Sequence, residues 1–186
     1  GAVIVSGANL SLNASGVQRT ARWIASSDVL VLQNEVSEAA NRMAAEIARS
    51  AGVLVVLNAA PARPLSPQMQ ELVDVLVVNA GEAQALTGSI VQTLEGALVA
   101  AKALAVAFPL VVVTAGGSGV AAVSRTGDAY EIPGLTVTVE STHGAGDEFV
   151  GQLATALAEG LSVEDCLVRA NVVAAALVAT PESQRD

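Results

Sequence analysis

Six apolar runs, at residues 2–5, 29–33, 53–58, 75–78, 110–114 and 120–124, alternate with segments whose hydrophobic residues recur at helical spacing. Runs such as Val29-Leu30-Val31-Leu32 and Val111-Val112-Val113-Thr114 place apolar side chains at consecutive positions. Successive side chains of a strand point to opposite faces, so such strands need cover on both sides, as parallel strands between two layers of helices have it. Helical patterns are read at 15–26, 37–51, 66–72, 81–86, 94–107, 148–159 and 162–179, several opening on a serine with an acidic residue nearby. Gly52, Gly88 and Gly160 stand at helix ends. The alternation predicts one domain over 1–186, a three-layer α/β/α sandwich with a mainly parallel sheet. The runs at 110–114 and 120–124 are expected to be antiparallel, because a parallel crossover needs a dozen or more residues.

With 52% hydrophobic residues and 15% charged, the 186-residue chain can bury a substantial core. Only 2% are aromatic, so that core is built from Ala, Val and Leu, and stacking platforms for single-stranded nucleic acid are excluded. Nine basic residues face 18 acidic ones without a basic run, which argues against nucleic-acid and membrane partners. A nucleotide stays open, since backbone amides at a helix end bind phosphate without a basic patch. One cysteine and one histidine rule out an internal disulfide and a Cys/His zinc site, and Cys166 lies in the apolar run 163–168 as a small core residue. No signal-peptide pattern and no bilayer-length apolar run are found, so the cytoplasm is the expected compartment. The run at 2–5 suggests a piece of something longer.

Chemistry concentrates in Thr142-His143-Gly144-Ala145-Gly146-Asp147-Glu148-Phe149-Val150-Gly151. Small residues let backbone N–H groups approach an anion, and the helix that follows turns its positive end toward it. Asp147 stands where a hydroxyl proton could be taken, an arrangement suited to phosphoryl transfer. A β-rich stretch at 135–139 precedes the turn, which is therefore expected between strand and helix. Three further loops, 58–62, 79–82 and 114–119, follow apolar runs and fall where open parallel sheets bind ligands. Taken singly, each is also ordinary turn chemistry of Asn and Gly.

Together these motifs resemble the ribokinase-like family of carbohydrate kinases, also called the PfkB family. Asn58-Ala59-Ala60-Pro61-Ala62 is similar to its Asn-Pro-Ala-Pro-Ala loop, Asn79-Ala80-Gly81-Glu82 to its Asn-x-x-Glu motif, and Leu86-Thr87-Gly88 to the Leu-Thr-Gly that follows. Thr114-Ala115-Gly116-Gly117-Ser118-Gly119 resembles the Thr-x-Gly-x-x-Gly nucleotide loop, and residues 144–151 the Gly-Ala-Gly-Asp-x-Phe-x-Gly signature. The order is the family's, and nearly the whole chain is covered. The resemblance implies a ribokinase-like (Rossmann-like) sandwich that transfers the γ-phosphoryl group of ATP to a sugar hydroxyl. It makes Asp147 the base and Gly144, Ala145 and Gly146 the anion hole. Asn58, Thr114, Gly116, Gly119, Gly146 and Asn171 would contact ATP, Glu82 would help hold Mg²⁺ and its waters, and Glu35 would touch the sugar. Glu35 reads equally well as a carboxylate at a helix N-terminus. His143 is taken as a solvated loop residue and Trp23 as helix packing.

Departures from the family bear on function. The family's N-terminal portion, with its Gly-Gly substrate loop and β-lid, has no counterpart before Gly1, so weak turnover is expected of this chain alone. Ser141 replaces the Asp that helps enclose K⁺ in cation-activated members, and 180–183 lacks the usual Gly-Ala, both against potassium activation. The expected partners are ATP and a small sugar, and open strand edges favour a homo-oligomer. The alternative is a noncatalytic nucleotide-binding module, or a truncated or engineered core of the same fold.

Overall fold

The computed structural model describes residues 7–185, so the run expected at 2–5 lies outside the described residues. A single six-stranded sheet is formed by β1 (Val29–Gln33), β2 (Leu54–Asn58), β3 (Val75–Asn79), β4 (Leu110–Thr114), β5 (Gly119–Ser124) and β6 (Ala129–Pro133), in that spatial order. β1 to β4 run parallel, and β5 and β6 complete the sheet as antiparallel neighbours. The helices are α1 (Ala14–Gln18), α2 (Ala21–Ala25), α3 (Glu38–Ser50), α4 (Pro67–Gln70), α5 (Ala80–Thr87), α6 (Leu94–Leu104), α7 (Ala145–Ala158) and α8 (Val163–Val178). Ser37, Ser66 and Ser162 cap α3, α4 and α8 by accepting from the N–H three residues on. Among the described residues, no helix is long and apolar enough to cross a membrane.

Two cores result from the two faces of each strand. Val55, Leu57, Leu76, Val78, Val111 and Val113 point to one side, against Ala44, Ala45 and Ala48 of α3 and Ala97, Ala100 and Ala101 of α6. Val56, Val75, Val77, Leu110 and Val112 point to the other, against Phe149, Val150 and Leu153 of α7 and Leu167 of α8, with Cys166 fully buried among them. Burial of Phe149 and Leu153 contributes about 2 kcal/mol each, which fixes where the start of α7 sits. Alanines on the first side let helix backbones approach the sheet closely, as expected for a chain with so few aromatics.

Three expectations are corrected. The stretch at 135–139 is not a strand: its side chains are mostly exposed, and it finds no backbone partner in the sheet. The real last strand is β6, whose Tyr130 and Ile132 face the core while Ala129, Glu131 and Pro133 face solvent, a one-sided pattern unlike the other runs. The helix expected over 15–26 breaks at Thr20, whose hydroxyl and N–H both bond the Val17 carbonyl. Trp23 does not pack inward: it is 62% exposed, with the Arg22 guanidinium 4.6 Å from its ring centroid.

At Gly119, φ is +111°, and a Cβ there would overlap the Ile132 carbonyl. Gly117 has open space around the same position and no positive φ. Gly119→Ala is therefore expected to lose about 2 kcal/mol or more, while Gly117→Ala stays within about 0.5 kcal/mol of the parent. Urea denaturation followed by circular dichroism checks the pair.

Candidate functional site

The parallel register brings four strand ends to one edge. Gln33 of β1 lies beside Asn58 of β2, and Asn79 of β3 lies beside Thr114 of β4. The loops after Asn58 and Thr114 leave from this edge as expected, whereas the loop expected over 79–82 is the first turn of α5, which follows Asn79 directly. Asn58 is 8% exposed and Thr114 half-buried, whereas Glu35, in the turn after β1, is exposed. Glu35 is not a helix-terminal carboxylate: α3 begins at Glu38 behind the Ser37 cap, and Glu35 instead lies 3.5 Å from the Asn9 amide that donates to it. Gln33, Glu35, Asn9 and Asn41 line a cavity of about 520 Å³ along β1.

The start of α7 reaches the same edge. Gly144 precedes it at φ +77°, a left-handed conformation that favours glycine, and no side chain caps the helix. The Ala145 N–H is turned onto the Thr142 carbonyl at 3.3 Å, while the N–H groups of Gly144, Gly146 and Asp147 find no backbone acceptor among the described residues. Those free donors stand at the positive end of a 14-residue helix, a geometry able to cradle an anion. A Cβ on Gly146 would meet nothing within 4 Å, so the space before it is open. Asp147, exposed in the first turn, accepts from Gln33 Nε2 at 3.3 Å, a link that ties α7 to the end of β1. The Asn41 amide in turn holds the Gln33 carbonyl at 2.7 Å.

Glu82 serves the local fold as well as any ligand. Its Oε2 accepts from the Asn79 N–H at 2.8 Å, and Asn79 Oδ1 accepts from the Glu82 N–H at 2.9 Å, a reciprocal cap on α5. Burial pushes its carboxyl above the usual carboxylate range, against the opposing pull of the Asn79 hydrogen bonds. No cluster of three acidic, His or Cys side chains that could hold a metal occurs among the described residues. A Mg²⁺ at this edge would therefore be ligated chiefly by phosphate and water and not by an all-protein cage.

The 114–119 loop and Asn171 meet at the end of β6. Gly134 packs its backbone against Gly117 and Gly119, and Asn171 Nδ2 donates to the Pro133 carbonyl at 2.9 Å. Gly116 stands at φ +55° with open space around it. Gly119 has a packing reason of its own in the Ile132 overlap described above. Several residues of this neighbourhood were not found from the sequence. Gln33 contacts Asp147 across 114 positions, Gly134 answers Gly119, and Arg185 donates to the carbonyls of Ser141 and His143. No local pattern signals any of them.

Comparison with known proteins gives a consistent result. The model of the pfkB family carbohydrate kinases matches residues 2–186. The chain is 38% identical over 185 residues to ribokinase of Haemophilus influenzae and 39% identical over 187 residues to ribokinase of Mus musculus. These alignments cover 99% and 98% of this chain and 60% and 58% of those proteins. A solved structure of Arabidopsis thaliana ribokinase complexed with ribose and ATP superposes with a TM-score of 0.87 at 27% identity, over 96% of this chain and 58% of that one. The chain thus spans about 60% of the length of the curated relatives it matches.

Replacing Glu82 separates cap from charge. Because the folded carboxyl titrates above its unfolded value, the ionised form costs stability, and that cost grows as pH rises from the unfolded pKa through the folded one. Glu82→Gln keeps an acceptor for the Asn79 N–H without the charge and should be at least as stable as the parent at pH 7, with the advantage gone below pH ~4. Glu82→Ala should lose about 1 kcal/mol with the cap. Thermal melts of both variants across pH read the difference.

Proposed function

The chain belongs to the pfkB family of carbohydrate kinases, and from that premise we propose that it carries the nucleotide-binding and phosphoryl-transfer surface of an ATP-dependent sugar kinase. One observation carries the proposal: the Asp147 carboxylate stands in the first turn of an uncapped helix, beside the unengaged N–H groups of Gly144 and Gly146. Negative charge that develops on the transferred phosphoryl oxygens is received there by fixed donors that need no reorganisation. Asp147 takes the proton of the attacking sugar hydroxyl, and Gln33 holds the carboxylate toward the β1 side. Glu35 and Gln33 line the cavity that would take the sugar.

On the nucleotide side, Thr114, Gly116 and Gly119 would contact ATP, with Asn171 toward the base and Asn58 toward the phosphates. Glu82 is the residue that would help hold Mg²⁺, which when bound neutralises phosphate charge. Ribose is the first sugar to test, because the ribokinases of Haemophilus influenzae and Mus musculus align with nearly the whole chain.

Two substitutions separate binding from chemistry. Gly146→Val fills the open space before the cradle without meeting protein atoms within 4 Å of the new Cβ, so the fold is kept. Mg²⁺–ATP affinity, read by isothermal titration, should fall about tenfold or more. Affinity equal to the parent would misplace the cradle. Asp147→Asn keeps the shape and removes the base. In a coupled assay with D-ribose its turnover should fall by a factor of about 100 or more with nucleotide affinity little changed. Equal turnover would remove Asp147 from the chemistry, and nucleotide binding by the parent without turnover over a panel of sugars would select a binding module instead.

A further inference from the structure

Arg185 makes a concentrated set of contacts just behind the cradle. Its Nη1 donates to the His143 carbonyl at 2.7 Å, its Nη2 to the Ser141 carbonyl at 2.9 Å and its Nε to the Thr180 carbonyl at 2.9 Å. Two of these carbonyls belong to the segment that leads into Gly144, and the third follows the end of α8. The same segment is held from the other side: Ser141 Oγ donates to Glu182 Oε1 at 2.6 Å and accepts from the His143 N–H at 3.2 Å. The N–H groups of Glu140 and Ser141 both donate to the Val178 carbonyl, at 3.0 and 3.3 Å. The Ser141 hydroxyl chiefly, then the Arg185 and His143 charges, hold the Glu182 carboxyl below its usual range.

Backbone carbonyl oxygens that converge on one point are the ligands with which proteins replace the water shell of a hard monovalent cation. Here the converging oxygens receive a cation that is part of the chain. A guanidinium suits the position because its planar fork offers several fixed donors and keeps its charge at any relevant pH. Ser141, a poor cation ligand, has its hydroxyl committed to Glu182 and His143.

We propose that Arg185 is a positioning residue, a built-in cation that organises the 141–143 lead into the Gly144–Gly146 cradle and makes an added monovalent cation unnecessary. The link to nucleotide rests on the cradle being the phosphate site; the ordering of the loop does not. Because Arg185 lies outside both cores, its truncation leaves the fold in place.

The deciding experiment is amide hydrogen exchange on the ligand-free chain, comparing the parent with Arg185→Ala. Exchange at the hydrogen-bonded amides of Glu140, Ser141, His143 and Ala145 should speed up about tenfold or more in Arg185→Ala, with the amides of Val112 and Leu153 unchanged as internal controls. Guanidinium or potassium chloride at millimolar concentration should restore protection, and tetramethylammonium chloride at the same ionic strength should not. Unchanged exchange, or a loss that neither cation restores, overturns the proposal. Mg²⁺–ATP titration is the second arm. The parent should bind within about twofold equally in potassium and tetramethylammonium chloride, and Arg185→Ala about tenfold more weakly in tetramethylammonium with recovery in potassium. A parent that binds only in potassium also overturns the proposal. A parent that binds in neither salt, with the exchange result intact, overturns the phosphate assignment and leaves Arg185 as the organiser of the loop.

Discussion

The parallel register of β1 to β4 is the constraint on which the rest depends. It exists because these strands are apolar on consecutive positions and find helices on both sides, α3 and α6 on one and α7 and α8 on the other. With the strands held in register, Gln33, Asn58, Asn79 and Thr114 end at a common edge, and the polar residues that break each apolar run become neighbours. A slip of one residue would turn every strand's side chains to the opposite face and disperse that edge. The site is thus a consequence of core burial in distant parts of the chain.

The start of α7 adds directed charge to that edge. Phe149, Val150 and Leu153 anchor the helix on the sheet, which leaves its first turn uncapped at the carboxyl ends of the strands. An acidic side chain there interacts favourably with the helix dipole, so Asp147 is electrostatically at ease with no ligand bound. Its bond to Gln33 ties the helix start to β1. Glu82 shows the opposite economy: it completes the α5 cap while half-buried, and burial raises its pKa. The residues at this edge therefore stabilise local structure and present charge at once.

Much of this was legible in the sequence where the physics is local. Two-sided apolar runs gave β1 to β5, serine caps gave the starts of α3, α4 and α8, and Asn58, Asn79 and Thr114 marked the edge. The antiparallel β4–β5 pair followed from the shortness of its glycine loop. Reading failed where pairing partners decide. The stretch at 135–139 has strand-forming residues and no neighbouring strand, while β6 carries Ala, Glu and Pro yet pairs along all of its length with β5. A helix over 15–26 looked continuous until the Thr20 hydroxyl competed for the Val17 carbonyl. The Gln33–Asp147 and Arg185–Ser141 contacts join residues far apart in sequence, and no periodicity encodes them.

The central claim, that the start of α7 and the 114–119 loop together form one nucleotide site, is tested most directly by titrating the ¹⁵N-labelled chain with a Mg²⁺-bound, nonhydrolysable ATP analogue. The amides of Gly144, Gly146 and Asp147 and those of residues 115–119 should shift together and fit a single dissociation constant, with the amides of α3 unmoved. Shifts confined to the β1 cavity, or none at the Gly144–Asp147 turn under saturating analogue, would contradict it.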